Sequence, residues 1–382
     1  MKLRLAIITE IIAPYRVPVF NQLARHDEID LHVIFLSETD PTQYQWLVHK
    51  DEIEFSYEVL PAWRKRIGSQ SLLLNWTVSE TLHRVSPDVI LCGGYNYIAS
   101  WQSLRWAKRN RVPFFLWVES TASNFRSGSA LLETLKSRFV DRCDGFLVPG
   151  RAAYDYVKSY GVAEQAIFTA PNAVDTDFFS RHAAIARKNA NENRQKLGLP
   201  ERFFLFVGRL VPEKGIFDLL EAYSTLSKAV RDEVGLVLVG DGEAKSALAR
   251  RARALKSGNI KIAGFAQRED LASYYGLAEI LVFPTHTDAW GLVINEAISC
   301  GLPVICSSAA GCVSDLVEEH VNGRVVPPRE INRLVSAMEQ LARDRELASR
   351  LGERGKERIL RYSPGACAAG IANAVLCRRA AA

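Results

Sequence analysis

The feature that most constrains this chain is a series of short apolar runs, each bounded by turn-forming residues and separated from the next by a longer stretch of helical period. A strand that alternates apolar and polar residues buries one face. A run apolar at nearly every position needs cover on both faces, and parallel strands receive it from the helices that connect them. In the first half the runs are Leu3 to Thr9, Leu31 to Leu36, Phe55 to Val59, Val89 to Cys92, Phe114 to Trp117, Gly145 to Val148 and Ile167 to Ala170. In the second half they are Phe203 to Val207, Leu236 to Val239, Ile260 to Ala263, Ile280 to Phe283, Val304 to Ser307 and Arg324 to Val326. The pattern predicts an α/β protein with two doubly wound sheets, and 382 residues are enough for two separate cores.

Between the halves the polar run Arg187 to Lys196 shows no strand pattern and suits a linker with a short solvated helix. The expected division is a first domain at 1–178, a linker at 179–200, a second domain at 201–362 and a terminal helix at 363–382. Pro364 breaks that last helix from the one before it, so it is expected to pack elsewhere, back on the first domain.

Composition narrows the class. At 48% hydrophobic and 24% charged residues the chain is not disordered. A net charge of +5 is too mild for a dedicated nucleic-acid binder, but it leaves room for a phosphorylated small molecule or an anionic lipid surface. The cysteines number seven, without paired zinc-type spacing, and an odd count speaks against a closed disulfide framework; reduced, mostly buried thiols of a cytoplasmic protein are expected. The apolar run before Glu10 is too short for a secretory leader and reads as a first strand, so the sequon Asn75-Trp76-Thr77 is taken as a chance match. No apolar stretch approaches the roughly 20 residues needed to span a bilayer, so any membrane contact is expected to be peripheral, on the inner face.

In open α/β sheets ligands bind beyond the carboxyl ends of the strands, so function is sought in the loops that follow them. After Phe203 to Val207 comes Gly208-Arg209-Leu210-Val211-Pro212-Glu213-Lys214-Gly215, with a helical pattern opening at Ile216. A close-approach glycine, two cations and a helix start make an anion cradle suited to a diphosphate, against the plainer reading of a solvated loop. After Ile280 to Phe283 the chain carries Asp288-Ala289-Trp290-Gly291-Leu292 and then Glu296 on the helix that Gly291 opens. Two acids so placed can grip separate hydroxyls of one extended ligand; the plainer roles are an N-cap for Asp288 and an exposed helix position for Glu296.

These residues carry a resemblance. The arginine and lysine of the Gly208 to Gly215 loop, an acid followed after seven residues by Glu296-Ala297, and the run Cys300-Gly301-Leu302-Pro303-Val304-Ile305 resemble the retaining, nucleotide-sugar-dependent glycosyltransferases of family four. Pro171-Asn172-Ala173-Val174-Asp175, Val239-Gly240-Asp241-Gly242 and Asn322-Gly323 support it. The resemblance implies a GT-B fold of two facing Rossmann-like domains with an interdomain cleft. The carboxy-terminal domain, like that of glycogen synthases, would bind the donor and the amino-terminal one the acceptor. It implies a donor site of Gly208, Arg209, Lys214, Gly240, Gly264, Asp288, Ala289, Trp290, Gly291, Leu292 and Glu296. Arg209 and Lys214 would neutralise the diphosphate, Glu296 would hold the ribose, and Asp288 would contact the sugar. The family usually has Glu where Asp288 stands. No metal and no resident cofactor are expected, because the two cations can take a metal's place; Asp175-Thr176-Asp177 reads as a loop and cap.

In the acceptor half the glycine-rich loop of many relatives is replaced by Glu10 to Arg16, which places Tyr15 and Arg16 at the end of the first strand. Arg16 is a candidate for phosphate or acceptor contact, or a plain helix start. Gly94 and Tyr95 after Val89 to Cys92, and Glu119 after Phe114 to Trp117, complete the candidate acceptor site, with Glu119 also a candidate catalytic group or a turn cap. The segment Leu131 to Asp141 is amphipathic, which suits core packing and also a lipid headgroup surface. The resemblance implies a nucleotide-sugar donor and a glycan or lipid-linked glycan acceptor, within bacterial surface-polysaccharide assembly. Two other readings stand beside it: a sugar-nucleotide-binding protein without transfer activity, and a dinucleotide oxidoreductase suggested by Gly240-Asp241-Gly242, where Lys245 replaces the third glycine.

Overall fold

A computed structural model of the chain describes residues 2–40, 45–67, 70–121, 130–255 and 259–379. It divides into two compact units, Met1–Ala173 with Pro364–Ala382, and Val174–Ser363. The strands are β1 (Leu3–Thr9), β2 (Ile29–Phe35), β3 (Ser56–Val59), β4 (Trp63–Ile67), β5 (Gln70–Leu74), β6 (Val89–Cys92), β7 (Phe114–Trp117), β8 (Gly145–Val148), β9 (Ile167–Thr169), β10 (Arg202–Val207), β11 (Val234–Val239), β12 (Ile260–Gly264), β13 (Ile280–Phe283), β14 (Val304–Ser307) and β15 (Gly323–Val326).

The first unit holds a parallel sheet of order β3-β2-β1-β6-β7-β8-β9 and the antiparallel hairpin β4-β5. The second holds a parallel sheet of order β12-β11-β10-β13-β14-β15. In each sheet the chain first builds outward in one direction and then returns to the other side of its first strand. The order therefore reverses between β1 and β6 and between β10 and β13, and a crevice opens beyond the strand ends at each reversal. The loops that follow these four strands contain Glu10 to Arg16, Gly93 to Asn96, Gly208 to Gly215 and Pro284 to Gly291. The strands are continuous apolar runs because both faces are covered: Phe203, Phe204, Leu205 and Phe206 on β10 are all fully buried.

One expectation is corrected, and one element is new. The segment 179–200 is not a linker: it lies within the helices Thr176–Lys188 and Ala190–Leu197 and the turn that follows, and it belongs to the second unit. The polar run 187–196 is helical surface, while Phe178, Phe179, Ala183 and Ala186 carry the buried face. The hairpin β4-β5 was not anticipated, because Arg64-Lys65-Arg66 interrupts any apolar run. The terminal helix Pro364–Arg379 packs on the helix Val17–Ala24 and on β9, so closely that a Cβ at Gly370 would stand 2.4 Å from the Thr169 carbonyl oxygen. All seven cysteines are unpaired, and Cys92, Cys300, Cys306, Cys312 and Cys367 are buried.

Close packing beside the reversal of the second sheet, where the loop after β11 meets the loop after β10, depends on Gly240, where φ is +143° and a Cβ would lie 1.9 Å from the Gly208 carbonyl oxygen. Gly240→Ala is expected to destabilise the second unit by at least about 2 kcal/mol, read as a lowered midpoint in urea unfolding. An unchanged midpoint would show that the two loops part without cost.

Candidate active site

The two loops at the reversal of the second sheet are stitched together by backbone. Pro212–Lys214 forms a single 3-10 turn that ends at Gly215 in the left-handed region, with φ +68°, and a Cβ there would lie 2.0 Å from the Pro284 carbonyl oxygen. The Glu213 carbonyl accepts the His286 amide at 2.8 Å and the Thr285 hydroxyl at 3.2 Å. His286 Nε2 lies 2.8 Å from Asp218 Oδ2, which ties the second loop to the helix Ile216–Thr225 as well.

This stitching delivers Lys214 to Asp288. Lys214 Nζ lies 2.6 Å from Asp288 Oδ2 and donates to the Thr287 carbonyl at 3.2 Å, while Asp288 Oδ1 accepts the Trp290 amide at 3.0 Å. The pair is mostly buried, with side-chain exposures of 13% and 20%. Arg209 is exposed, and while its carbonyl accepts the Val211 amide at 3.0 Å its guanidinium makes no hydrogen bond or ion pair to the described residues. The two cations are therefore unlike: Lys214 is held by an internal acid and the Arg209 side chain is exposed.

Glu296 projects from the helix Leu292–Ser299, whose N-terminus at Gly291 has no side-chain cap. The Tyr275 hydroxyl donates to its Oε2 at 2.6 Å. Burial pushes the Glu296 carboxyl up to about 7, against the opposing pull of the Tyr275 hydrogen bond. Tyr275, Asp218 and His286 were missed in the sequence because each meets a partner far along the chain, with no spacing to announce it; Thr285 bonds both the distant Glu213 carbonyl and the nearby Thr287 carbonyl.

The remaining expected donor residues play backbone or packing parts. Gly264 accepts the Gly240 amide at 2.7 Å through its carbonyl. Asp288, Ala289 and Trp290 lie against residues 309–312: the Gly311 amide donates to the Asp288 carbonyl at 3.0 Å, the Cys312 amide donates to that of Trp290 at 3.0 Å, and a Cβ on Gly311 would stand 2.0 Å from the Ala289 oxygen. The Trp290 indole is buried and donates to Asn295 Oδ1 at 2.9 Å, so it anchors the loop in the core and does not face solvent. Leu292 is half-buried at the helix start. Lys245, in the place of a third glycine, pairs with Asp241 at 3.0 Å and, with the Gly242 amide, holds that carboxyl below its ordinary range. Asp175 accepts the Phe178 amide at 2.8 Å and caps the helix Thr176–Lys188. Among the described residues no cluster of three His, Cys, Asp or Glu is placed to hold a metal ion.

In the first unit Arg16 and Glu119 come together from the ends of β1 and β7, with Nη2 2.9 Å from Oε1. The guanidinium lies 3.9 Å from the centroid of the Trp117 ring and 5.6 Å from that of Tyr15, and it is nearly buried while Glu119 is about a third exposed. Arg16 is also the N-cap residue of the helix Val17–Ala24, without a side-chain cap bond. Gly94, at φ +113°, has no atom within 4 Å of a Cβ position and leaves open space at the end of β6. Tyr95 faces Phe139 at 6.1 Å between ring centroids and neighbours Tyr156, and burial pushes its phenol up to about 12. The helix Ala130–Val140 buries Phe139 against Trp101 and leaves Leu135 exposed; the side chains of Leu131 and Leu132 lie outside the described residues.

Two Rossmann-like α/β domains of this kind define the GT-B fold, and the similarities with known proteins agree. Residues 20–178 match the family described as Glycosyltransferase Family 4 and residues 189–358 the family described as Glycosyl transferases group 1. The chain carries one domain of each description. It is 34% identical over 165 residues to the alpha-D-kanosaminyltransferase of Streptomyces kanamyceticus, covering 42% of each chain. It is 36% identical over 149 residues to the putative teichuronic acid biosynthesis glycosyltransferase TuaC of Bacillus subtilis, covering 38% of this chain and 35% of that one. The matches thus span less than half the length of these curated relatives. The fold is similar to that of Anabaena HepE, solved in complex with UDP-glucose, with a TM-score of 0.76 at 18% identity over 98% of this chain and 99% of that one.

The raised carboxyl of Glu296 generates a prediction. The folded chain holds that proton more tightly than the unfolded chain, whose carboxyl titrates near 4.5, so stability is lost as pH climbs from there through about 7. Glu296→Gln is expected to melt above the native chain at pH 8 and level with it at pH 5. Equal differences at both pH values would show that another group titrates.

Proposed function

We propose that the protein is a retaining glycosyltransferase that moves a hexose-type sugar from a nucleoside-diphosphate sugar to a hydroxyl of a glycan or lipid-linked glycan, without a metal or other resident cofactor. The observation that carries this is the pairing at the second sheet's reversal of an uncommitted cation, Arg209, with a second cation, Lys214, held by the acid Asp288. Breaking the bond between the anomeric carbon and the diphosphate sends its electron pair to the phosphate oxygen and leaves oxocarbenium character on the sugar. A cation about 4 Å from that oxygen is worth on the order of 4 kcal/mol at an effective dielectric of 20, or nearly three powers of ten in rate if felt only in the transition state. Arg209 would meet the diphosphate first. Lys214 would then exchange Asp288 for phosphate, which frees Asp288 to accept a sugar hydroxyl, while Glu296, ionised, would accept from the ribose hydroxyls.

Arg16 and Glu119, with Tyr15, Gly94 and Tyr95, would serve the acceptor on the first unit. The relatives' names, an alpha-D-kanosaminyltransferase and a putative teichuronic acid biosynthesis glycosyltransferase, support sugar transfer, and the UDP-glucose bound to HepE makes uridine nucleotides the first donors to test. Retention and a role in bacterial surface-polysaccharide assembly at the inner face of the membrane rest on the family resemblance.

The test is a thermal-shift panel of nucleoside diphosphates and nucleotide sugars in EDTA. A ligand at about 100 times its Kd adds roughly 2.7 kcal/mol of stability, so one nucleotide series is expected to raise the native melting temperature and Arg209→Ala to lose most of that rise. No rise with any nucleotide, with or without metal, would end the assignment. A second prediction follows from the ion pair: Asp288→Asn releases Lys214, so the bare nucleoside diphosphate is expected to bind more tightly while turnover of the sugar donor falls by about two powers of ten. Weaker diphosphate binding in this variant would show that Asp288 orients Lys214 and does not compete for it. Native binding without turnover on any acceptor would instead favour a sugar-nucleotide-binding protein.

A further inference from the structure

The helix Arg268–Leu277 brings a phenol into the core beside the site. Tyr275 on this helix is fully buried, and its ring meets that of Phe179 edge to face at 6.0 Å between centroids. The helix is held close to its neighbour Thr176–Lys188, since a Cβ at Gly276 would stand 2.7 Å from the Ala183 carbonyl oxygen. A hydroxyl so confined must find its partner inside the protein or stand as a buried donor unmet. The fully buried Tyr223 meets the same need with a backbone carbonyl, donating to Val234 at 2.9 Å. Tyr275 donates instead to a carboxylate, Glu296 Oε2, at 2.6 Å.

Glu296 has an uncommon set of partners for an acid in such a place. The Tyr275 hydroxyl is the only hydrogen bond of its side chain among the described residues, and no cation of those residues pairs with it. The cations that act on Cys300, one turn further along the same helix, are engaged elsewhere: Arg187, from the helix Thr176–Lys188, donates through Nη2 to the Cys300 carbonyl at 2.5 Å, and Lys356, from the helix Arg345–Ile359, pairs with Glu353 at 2.7 Å. A cation bonded to Glu296 would neutralise the carboxylate and compete with a ligand for both oxygens. A single neutral donor fixes one oxygen and leaves Oε1 without a partner among the described residues. Burial favours the protonated acid, and the tyrosine hydrogen bond favours the ion.

We propose that Tyr275 is a positioning residue of the donor site, holding the Glu296 carboxylate by one oxygen so that the other accepts a ribose hydroxyl of the nucleoside diphosphate. The inference rests on the reading of Glu296 as the ribose contact. Tyr275 acts only through Glu296, so its effect is confined to ligands that carry the ribose diol.

The test is calorimetric titration of the full chain, in EDTA, with UDP, its 2′,3′-dideoxy analogue and inorganic pyrophosphate, or with the guanosine series if that is the one that binds. Tyr275→Phe removes a single oxygen atom and is expected to weaken UDP about ten-fold, while the other two probes change by less than about two-fold. A merely structural role would weaken all of them alike. In the Glu296→Gln background, Tyr275→Phe is expected to cost less than about two-fold against every probe. Without any ligand, Tyr275→Phe is expected to raise the Glu296 titration above its native value of about 7, read from the carboxylate stretch in infrared difference spectra against Glu296→Gln. Circular dichroism and melting temperature check that each variant folds. If Tyr275→Phe does not, Tyr275→3-fluorotyrosine, a stronger donor of almost the same size, carries the test with the signs reversed: a lowered titration and tighter UDP. Equal loss across the probes, native-like UDP binding by the folded variant, or a Glu296 titration that does not move would overturn the proposal and leave the donor reading standing. Failure of the native chain to bind any nucleoside diphosphate would end the donor reading and the proposal with it.

Discussion

The second unit depends on the approach of two loops at the point where its strand order reverses. Gly215 lies against the backbone of Pro284 and Gly240 against that of Gly208, distances that leave no space for a side chain. The Gly215 contact brings the loop after β10 and the loop after β13 to one place, and the Gly240 contact packs the loop after β11 beside them. Lys214 meets Asp288 because Glu213 and His286 are hydrogen-bonded, and the Trp290 indole, buried and bonded to Asn295, holds the far end of the second loop.

Electrostatics then sort the charged groups. Asp288 spends one oxygen on a backbone amide and the other on Lys214, so both of its oxygens are partnered within the unit. Arg209 has no such tie to the described residues. Burial pushes the Glu296 carboxyl up to about 7, with a tyrosine hydroxyl as its partner. The first unit shows a different economy: Arg16 is paired, stacked on Trp117 and nearly buried, which makes Glu119 the more accessible member of that pair.

Much of the architecture was legible in the chain because a parallel strand covered on both faces must be apolar along its length. Runs such as Phe203 to Val207 therefore announce both their conformation and their burial. The loops after them were legible for the same reason, since a strand's end locates its loop. The hairpin was not legible: Arg64-Lys65-Arg66 has the composition of a solvated loop, and it is pairing with Glu10 and the buried Asp40 that turns Arg64 inward. The helix Thr176–Lys188 was half legible, its polar end read as linker while Phe178 and Phe179 were already core.

The sequence by itself determined the class of fold, the two-part division and the identity of the charged residues in the switch loops, because these are properties of local pattern. Tertiary structure decided which charges are partnered. The pairing of Lys214 with Asp288, of Arg16 with Glu119 and of Tyr275 with Glu296 joins residues from separate strands and helices, and the strength of each depends on distance and burial. Neither quantity exists until the sheet order has brought the loops together.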